Sequence, residues 1–165
     1  MRETGESLKD ALDLKIFTNK RICIDEVLPQ NVDFLVLDLS SALGLSIFTF
    51  RETASHYRKI ASMQGKKVVV RSIYDGGYIE SGIIDDVWSA TNICECRVDG
   101  MVWTYRSGTC KKSNWYEYDI IIRVLPLDSG VFTDVDGTIL IFDRERKYAE
   151  LRYKVLRSRT AYYTQ

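Results

Sequence analysis

The stretch Asn92-Ile-Cys-Glu-Cys-Arg-Val-Asp-Gly-Met-Val-Trp-Thr-Tyr-Arg106 decides the predicted fold. An Asp-Gly pair between two alternating runs predicts a β-hairpin, because both central residues of a type I′ turn take positive φ. The side chains that would share the dry face of this hairpin are Val98 opposite Met101, Cys96 opposite Trp103 and Cys94 opposite Tyr105. The other face is mostly polar, so the hairpin is expected to cover a core as part of an antiparallel sheet.

Period-two alternation continues on both sides of this hairpin. Lys67–Ile73 and Tyr78–Trp88 are predicted strands joined at Asp75-Gly76, and Trp115–Leu125 is a further predicted strand. About five strands in meander order between residues 66 and 125 resemble the outline of a small SH3-like or Tudor-like barrel. The predicted fold class is therefore α+β, with antiparallel hairpins forming that barrel and helices at both ends of the chain.

The segments that flank the barrel are predicted to hold helices, two early strands and one late hairpin. Ser7 caps a first helix that ends before Thr18, and Thr53 opens a second helix that stops at Gly65. The further predicted elements are strands over 34–39 and 46–50, and a hairpin that joins 131–135 to 138–142 through Asp136-Gly137. Three parts result: a helix-strand-strand-helix segment (1–65), an antiparallel β core (66–143), and a basic helix with its tail (144–165).

Charge is distributed unevenly along a chain whose net charge is zero. Residues 144–165 contain seven Lys or Arg and two Glu, so this segment carries +5 and the remainder carries −5. Tyr148, Leu151 and Val155 stand at helical spacing within it, which predicts an amphipathic helix with a basic face. We expect the partner-binding residues to be Arg152, Lys154, Arg157, Arg159, Tyr162 and Tyr163.

One short motif has a known counterpart. Asp134-Val-Asp136-Gly-Thr138 resembles the nucleophile motif of the haloacid dehalogenase-like phosphatases. The resemblance implies that Asp134 accepts a phosphoryl group and Asp136 acts as general acid, with magnesium between them. It also implies a position at the carboxyl end of the first parallel strand of a doubly wound sheet. Only 27 residues follow Thr138, and the upstream chain alternates in hairpins, so a turn of a hairpin is the favoured interpretation.

Cysteine and histidine offer alternatives for metal binding or catalysis. Cys94 and Cys96 with Cys110 nearby could form a metal site completed by Cys23 or His56, but the spacing differs from a Cys-x2-Cys knuckle. Core packing is the favoured interpretation of these cysteines. His56, the only histidine, is a possible general base, but no recognisable motif places a nucleophile beside it, and a surface helix position is favoured. We expect no cofactor, no metal and no catalytic residue.

The sequence therefore predicts a non-enzymatic interaction protein that binds a protein partner or forms part of an assembly, which could be a homo-oligomer. A viral or phage structural component, which could be virion-associated, fits this description. The alternative is a nucleic-acid-binding β-barrel, because bases interleaved with tyrosines can neutralise phosphates and stack on bases. A magnesium-dependent phosphatase is the distant alternative. A cytoplasmic location and no membrane partner are expected, since the start of the chain lacks an apolar signal segment.

Overall fold

A computed structural model describes residues 2–5, 8–27, 31–49, 53–72, 82–85, 102–106, 118–127, 134–144 and 146–164. Within these residues lie ten strands, three α-helices and one 3₁₀ helix. In chain order they are β1 (Arg2–Gly5), α1 (Leu8–Ala11), the 3₁₀ helix (Leu14–Phe17), β2 (Ile22–Glu26), α2 (Asp33–Leu43), β3 (Ile47–Thr49), α3 (Ala54–Met63), β4 (Val70–Ser72), β5 (Ile83–Ile84), β6 (Val102–Arg106), β7 (Ile120–Leu125), β8 (Gly137–Asp143), β9 (Arg146–Val155) and β10 (Thr160–Thr164).

The ten described strands pair in the order β1-β10-β9-β8-β7-β2-β6-β5-β3-β4. Within the run of six strands from β7 to β4, every pair of neighbours is parallel. The strands β7, β8, β9, β10 and β1 pair antiparallel. Strand β7 therefore has one parallel and one antiparallel neighbour, and the sheet changes type at this strand. The α+β class is correct, but the predicted SH3-like or Tudor-like antiparallel barrel is wrong, since no described pairing joins β1 to β4 and closes the sheet.

Only the second half of the hairpin predicted around Asp99-Gly100 lies within the described residues. Its second strand exists as β6, but both described neighbours of β6 are parallel: Val102–Arg106 pairs with Ile22–Glu26 of β2, and its first two residues pair with β5. Residues 86–101, with the predicted turn and first strand, lie outside the described residues, as does Asp75-Gly76. A pattern of alternation therefore identified a strand but not its partners.

The segment 34–39, predicted as a strand, is the centre of helix α2. Every residue from Asp33 to Ser40 is buried. A helix buried on all sides is apolar on all sides, so it loses the 3.6-residue periodicity that distinguishes a helix from a buried strand. Gly44, with φ of 68°, ends the helix in the left-handed conformation that glycine adopts without strain.

The predicted basic C-terminal helix is also wrong, because residues 146–155 form strand β9 and residues 160–164 form strand β10. The helical interpretation relied on Tyr148, Leu151 and Val155, but Tyr148 is 49% exposed and Val155 is 41% exposed. Burial instead follows a period of two, with Leu151 and Tyr153 in the core. The alternation of bases with apolar residues therefore reflects the two faces of a strand.

The hairpin predicted over 131–142 has the wrong partners. Strand β8 begins at Gly137 and pairs with β7 on one side and β9 on the other. Residues 131–133 lie outside the described residues. Predicted strands are confirmed where β3, β4 and β7 lie, and the second predicted helix is confirmed as α3, with Thr53 at its N-cap.

The core lies between the sheet and the described helices. Residues from helices α1, α2 and α3 and from one side of the sheet form a single apolar cluster. The helices contribute Leu8, Leu35, Tyr57 and Ala61, and the strands contribute residues such as Ile24. Phe34 of α2 stacks on Tyr153 of β9, with ring centroids 4.5 Å apart. The residues that alternate with this cluster along each strand point to the opposite side of the sheet, which we call the outer face.

Candidate functional site

The six predicted partner-binding residues lie in three environments: the outer face, the turn between β9 and β10, and the core. Arg152, Lys154 and Tyr163 lie on the outer face, because their strand neighbours Leu151, Tyr153 and Tyr162 belong to the helix-covered core. Tyr163 is directly opposite Arg152 in the pairing of the two strands. Arg157 and Arg159 lie in the turn between the strands, which a hydrogen bond from the Leu156 amide to the Arg159 carbonyl closes at 2.8 Å.

Two of these cations have no partner among the side chains that the structure describes. The guanidinium groups of Arg152 and Arg157 make no hydrogen bond or ion pair with another residue in the described part of the chain. Arg157 is exposed and Arg152 is half-buried. By contrast, Lys147 forms an ion pair with Glu150 on β9, which neutralises that part of the strand. Arg152 and Arg157 therefore place positive charge at the β9–β10 end without a described counter-charge.

Tyr162 is not part of this surface. It is completely buried and its hydroxyl donates a hydrogen bond to Oδ2 of Asp38, in the middle of α2. The other oxygen of Asp38 lies 2.5 Å from Nζ of Lys66, whose side chain is 14% exposed. Burial and the Asp38 charge hold the pKa of Tyr162 well above its ordinary value. Asp38 therefore ties α2 to the last strand and to the segment after α3.

The two aspartates of the phosphatase-like motif do not have the arrangement that the resemblance implies. Asp134 and Asp136 precede β8, at the amino end of a strand whose described neighbours are both antiparallel. Oδ2 of Asp136 accepts a hydrogen bond of 2.7 Å from the Val155 amide, and the Asp136 amide donates to the Tyr153 carbonyl at 2.8 Å. Asp136 thus fastens the start of β8 to β9.

A second polar cluster joins the amino ends of α2 and α3. Nε2 of His56 lies 2.9 Å from Oδ2 of Asp33, and the Tyr57 hydroxyl lies 3.4 Å from Oδ1 of the same carboxylate. The Asp33 side chain is 6% exposed and the His56 side chain is 36% exposed. His56 is thus not a plain surface residue, and we call the pair Asp33–His56 the dyad.

The dyad lies where ligands often bind to parallel sheets. Helix α2 follows β2 and helix α3 follows β3, so the amino end of each helix is close to the carboxyl end of a parallel strand. Ligands of open α/β sheets bind in the crevice outside these carboxyl ends. An ion pair between Asp25 of β2 and Arg123 of β7, at 2.9 Å, lies near the same ends but on the outer face.

Sequence reasoning missed Asp33 because nothing local links it to a histidine 23 positions later. One signal was available: Asp33 and Asp38 stand in an otherwise apolar stretch. A carboxylate in such a stretch needs a partner if the stretch is buried, because an unpaired buried charge is very costly. The identity of the partner depends on the packing of α3 beside α2, which sequence spacing does not define.

Only one of the four cysteines lies among the described residues. Cys23 is buried in β2, while Cys94, Cys96 and Cys110 lie outside the described residues. Across the described ranges, no three His, Cys, Asp or Glu side chains are grouped so that they could hold a metal ion.

Comparison with known proteins adds no assignment. No protein-family model matches the sequence. None of the curated proteins compared with it is significantly similar. Among the helices that the structure describes, none has both the length and the apolar character required to cross a bilayer.

Proposed function

We propose that this chain is an interaction protein that binds an acidic protein segment through the outer face and turn of β9 and β10. The observation that carries the proposal is the pairing of Tyr163 with Arg152 on that face, with the exposed Arg157 in the adjoining turn. Arginine and tyrosine are enriched at protein interfaces, since both offer contact area and directed hydrogen bonds. A non-enzymatic role in a cytoplasmic or virion-associated assembly belongs to the same proposal.

Charge complementarity favours an acidic partner. Residues 144–165 carry +5, and the guanidinium groups of Arg152 and Arg157 have no described partner within the chain. Such groups bind carboxylates in bidentate geometry, which combines charge with orientation. Lys154 lies on the same face next to Ala161, and extends the cationic surface along β9.

Nucleic acid is the second candidate, because guanidinium groups beside a tyrosine can also bind phosphates and stack on bases. The rest of the molecule carries −5, which opposes general attraction to a polyanion. Tyr162, one of the two aromatic residues expected to stack, is buried in the core. We therefore expect DNA or RNA to bind with a dissociation constant of about 0.1 mM or weaker near physiological salt.

The experiment compares two labelled probes, poly-L-glutamate and a generic double-stranded DNA, by fluorescence anisotropy over a range of salt concentrations. The test variant is Arg152→Glu/Arg157→Glu. The matched control, Lys9→Glu/Lys59→Glu, makes the same change of charge at exposed positions on α1 and α3. Circular dichroism checks that both variants keep the fold.

We expect the test variant to weaken poly-L-glutamate binding by about tenfold or more, since two charge-assisted contacts are reversed. The control should bind like the wild type. Equal loss in both variants would refute a local site, because only net charge would then matter. Submicromolar DNA binding at physiological salt that Arg152→Glu/Arg157→Glu abolishes would show that nucleic acid is the partner.

A further inference from the structure

The outer face of the antiparallel strands places an apolar side chain beside the cationic surface. Ile139 and Ile141 of β8 belong to the helix-covered core, so Leu140 between them lies on the outer face. Leu140 is directly opposite Glu150 of β9, two residues before Arg152, and its side chain is half-buried. The proposed binding surface therefore continues from Arg152 onto an apolar side chain of the neighbouring strand.

The charged residues on both sides of Leu140 belong to ion pairs. On one side Glu150 forms an ion pair with Lys147. On the other side Arg123 of β7 is opposite Leu140, and its Nε lies 2.9 Å from Oδ2 of Asp25. Each ion pair has no net charge. The outer face thus has a cationic end, towards the turn between β9 and β10, and a neutral end with an apolar side chain at its centre.

The spacing between the two ends matches an extended chain. Thr138 is opposite Arg152, so Leu140 and Arg152 are diagonal neighbours on adjacent strands. Such neighbours lie about 7–8 Å apart. In an extended segment, side chains two positions apart share a face and lie about 7 Å apart, since each residue rises about 3.3 Å. A partner residue bound to the Arg152 guanidinium would therefore place the side chain two positions away over Leu140.

We propose that the acidic protein segment bound by this surface is extended and carries an apolar side chain two positions from a carboxylate, and that Leu140 binds this apolar side chain. The inference rests on the proposed function and adds the second half of the recognised pattern. A carboxylate over Leu140 would lose water without gaining a cation, because Lys147 and Arg123 are already paired. An apolar side chain at that position removes apolar area of both molecules from water.

The experiment compares two labelled peptides of equal charge by fluorescence anisotropy with the full chain. One is hexaglutamate extended at each end by a glycine and then a leucine, and the other has serine in place of both leucines. A leucine at each end presents the same spacing in either chain direction. We expect the leucine peptide to bind about fivefold more tightly, because it buries part of a leucine side chain. This ratio should persist as salt weakens both peptides, since salt screens only the charged contacts.

A substitution at the apolar position locates the contact. Leu140→Thr keeps a residue type that suits a strand and should abolish the preference for the leucine peptide, leaving the binding of the serine peptide unchanged. Met63→Thr, at a position on α3 that is 46% exposed, is the matched apolar-to-polar control and should keep the preference. Circular dichroism checks the fold of both variants. The comparison of the two peptides on the wild type does not depend on the folding of any variant.

The outcomes separate this inference from the proposed function. Equal affinity of the two peptides for the wild type, with both lost in Arg152→Glu/Arg157→Glu, would overturn the role of Leu140 and leave the cationic site intact. A leucine preference that survives in folded Leu140→Thr would also overturn it, because the apolar contact would then lie elsewhere. If neither peptide bound, or if neither responded to Arg152→Glu/Arg157→Glu, the proposed function would fail and this inference with it.

Discussion

Alkaline pH is predicted to destabilise this fold through two tyrosines that face its interior. Burial, followed by the charge of Asp38 and the hydrogen bond to its carboxylate, raises the pKa of Tyr162 well above its ordinary value near 10. Burial, followed by the charge of Asp136, likewise raises the pKa of Tyr153 above that value. Ionising either hydroxyl inside the fold would place a negatively charged phenolate in a poorly solvated site near an aspartate carboxylate.

The sign of the effect follows from proton binding in the two states. Above about pH 10 the unfolded chain releases the tyrosine protons, while the folded chain keeps them until the higher folded-state pKa values are reached. The free energy of unfolding therefore falls as pH rises through this window, with a slope that approaches about 1.4 kcal/mol per pH unit for each tyrosine once the unfolded tyrosine is fully ionised. Tyr153 and Tyr162 together give a limiting slope of about 2.7 kcal/mol per unit. Below pH 10 both are protonated in both states, and their full contribution is present.

The assay is urea unfolding at about pH 9, 10 and 11, with the slope of unfolding free energy against pH as the readout. Between about pH 10 and 11, Tyr162→Phe should reduce the fall in unfolding free energy by about 1 kcal/mol, because the unfolded tyrosine is half ionised near pH 10. The comparison of slopes removes the constant cost of losing the hydrogen bond to Asp38. Tyr148→Phe, at a position that is 49% exposed, is the matched control and should keep the wild-type slope. Equal slopes for wild type and Tyr162→Phe would show that the Tyr162 hydroxyl is not protected from ionisation.

Three substitutions test other contacts by urea unfolding. Lys66→Met removes the cation 2.5 Å from the buried Asp38 carboxylate. It should lower the free energy of unfolding by about 3 kcal/mol or more. A loss below about 1 kcal/mol would contradict the burial of this ion pair. Gly137→Ala sets a Cβ 2.6 Å from a backbone carbonyl oxygen and 2.7 Å from the Tyr153 hydroxyl, so we expect a loss of about 1–3 kcal/mol; wild-type stability would contradict this close approach. Thr53→Ala removes the N-cap of α3 and should cost about 1 kcal/mol, which Thr53→Ser should largely restore.

Local signals predicted helix α3 correctly. Thr53 caps the helix through a hydrogen bond from the His56 amide, and Gly65 follows its end with φ of 63°. Both signals act within a few residues, and a partly exposed helix keeps a polar side that reveals its period. The positions of β3 and β7 could be predicted for a similar reason, since short apolar runs bounded by turn residues identify strands without identifying their neighbours.

Strand pairing could not be predicted, because it depends on residues far apart in sequence. Strand β2 pairs with β7 nearly a hundred positions later, with Cys23 opposite Ile121. Parallel neighbours require crossover connections, and no short turn between them marks the register. The Asp-Gly turns were the strongest local signals in the chain, so they favoured an antiparallel meander in place of the parallel half of the sheet.

The dyad shows the same limit for the candidate site. A capped helix beginning at Thr53 was predictable, and so was the presence of His56 in its first turn. The apolar run 34–39 predicts a strand, so the sequence alone gives no role to its neighbour Asp33. A strand there would have separated Asp33 from any helix terminus. Burial of α2 on all sides thus concealed both the helix and the carboxylate that orients the imidazole.

Two adjacent residues of strand β10, Tyr162 and Tyr163, are expected to have different roles, the first in stability and the second in binding. Side chains alternate along a strand, so Tyr162 enters the core beside Asp38 while Tyr163 lies on the outer face opposite Arg152. Tyr162→Phe should therefore change the pH dependence of unfolding but leave poly-L-glutamate binding intact. If Tyr162→Phe weakened binding more than Tyr163→Ala in folded protein, the binding surface would lie on the helix-covered side, and the assignment of the outer face would be wrong.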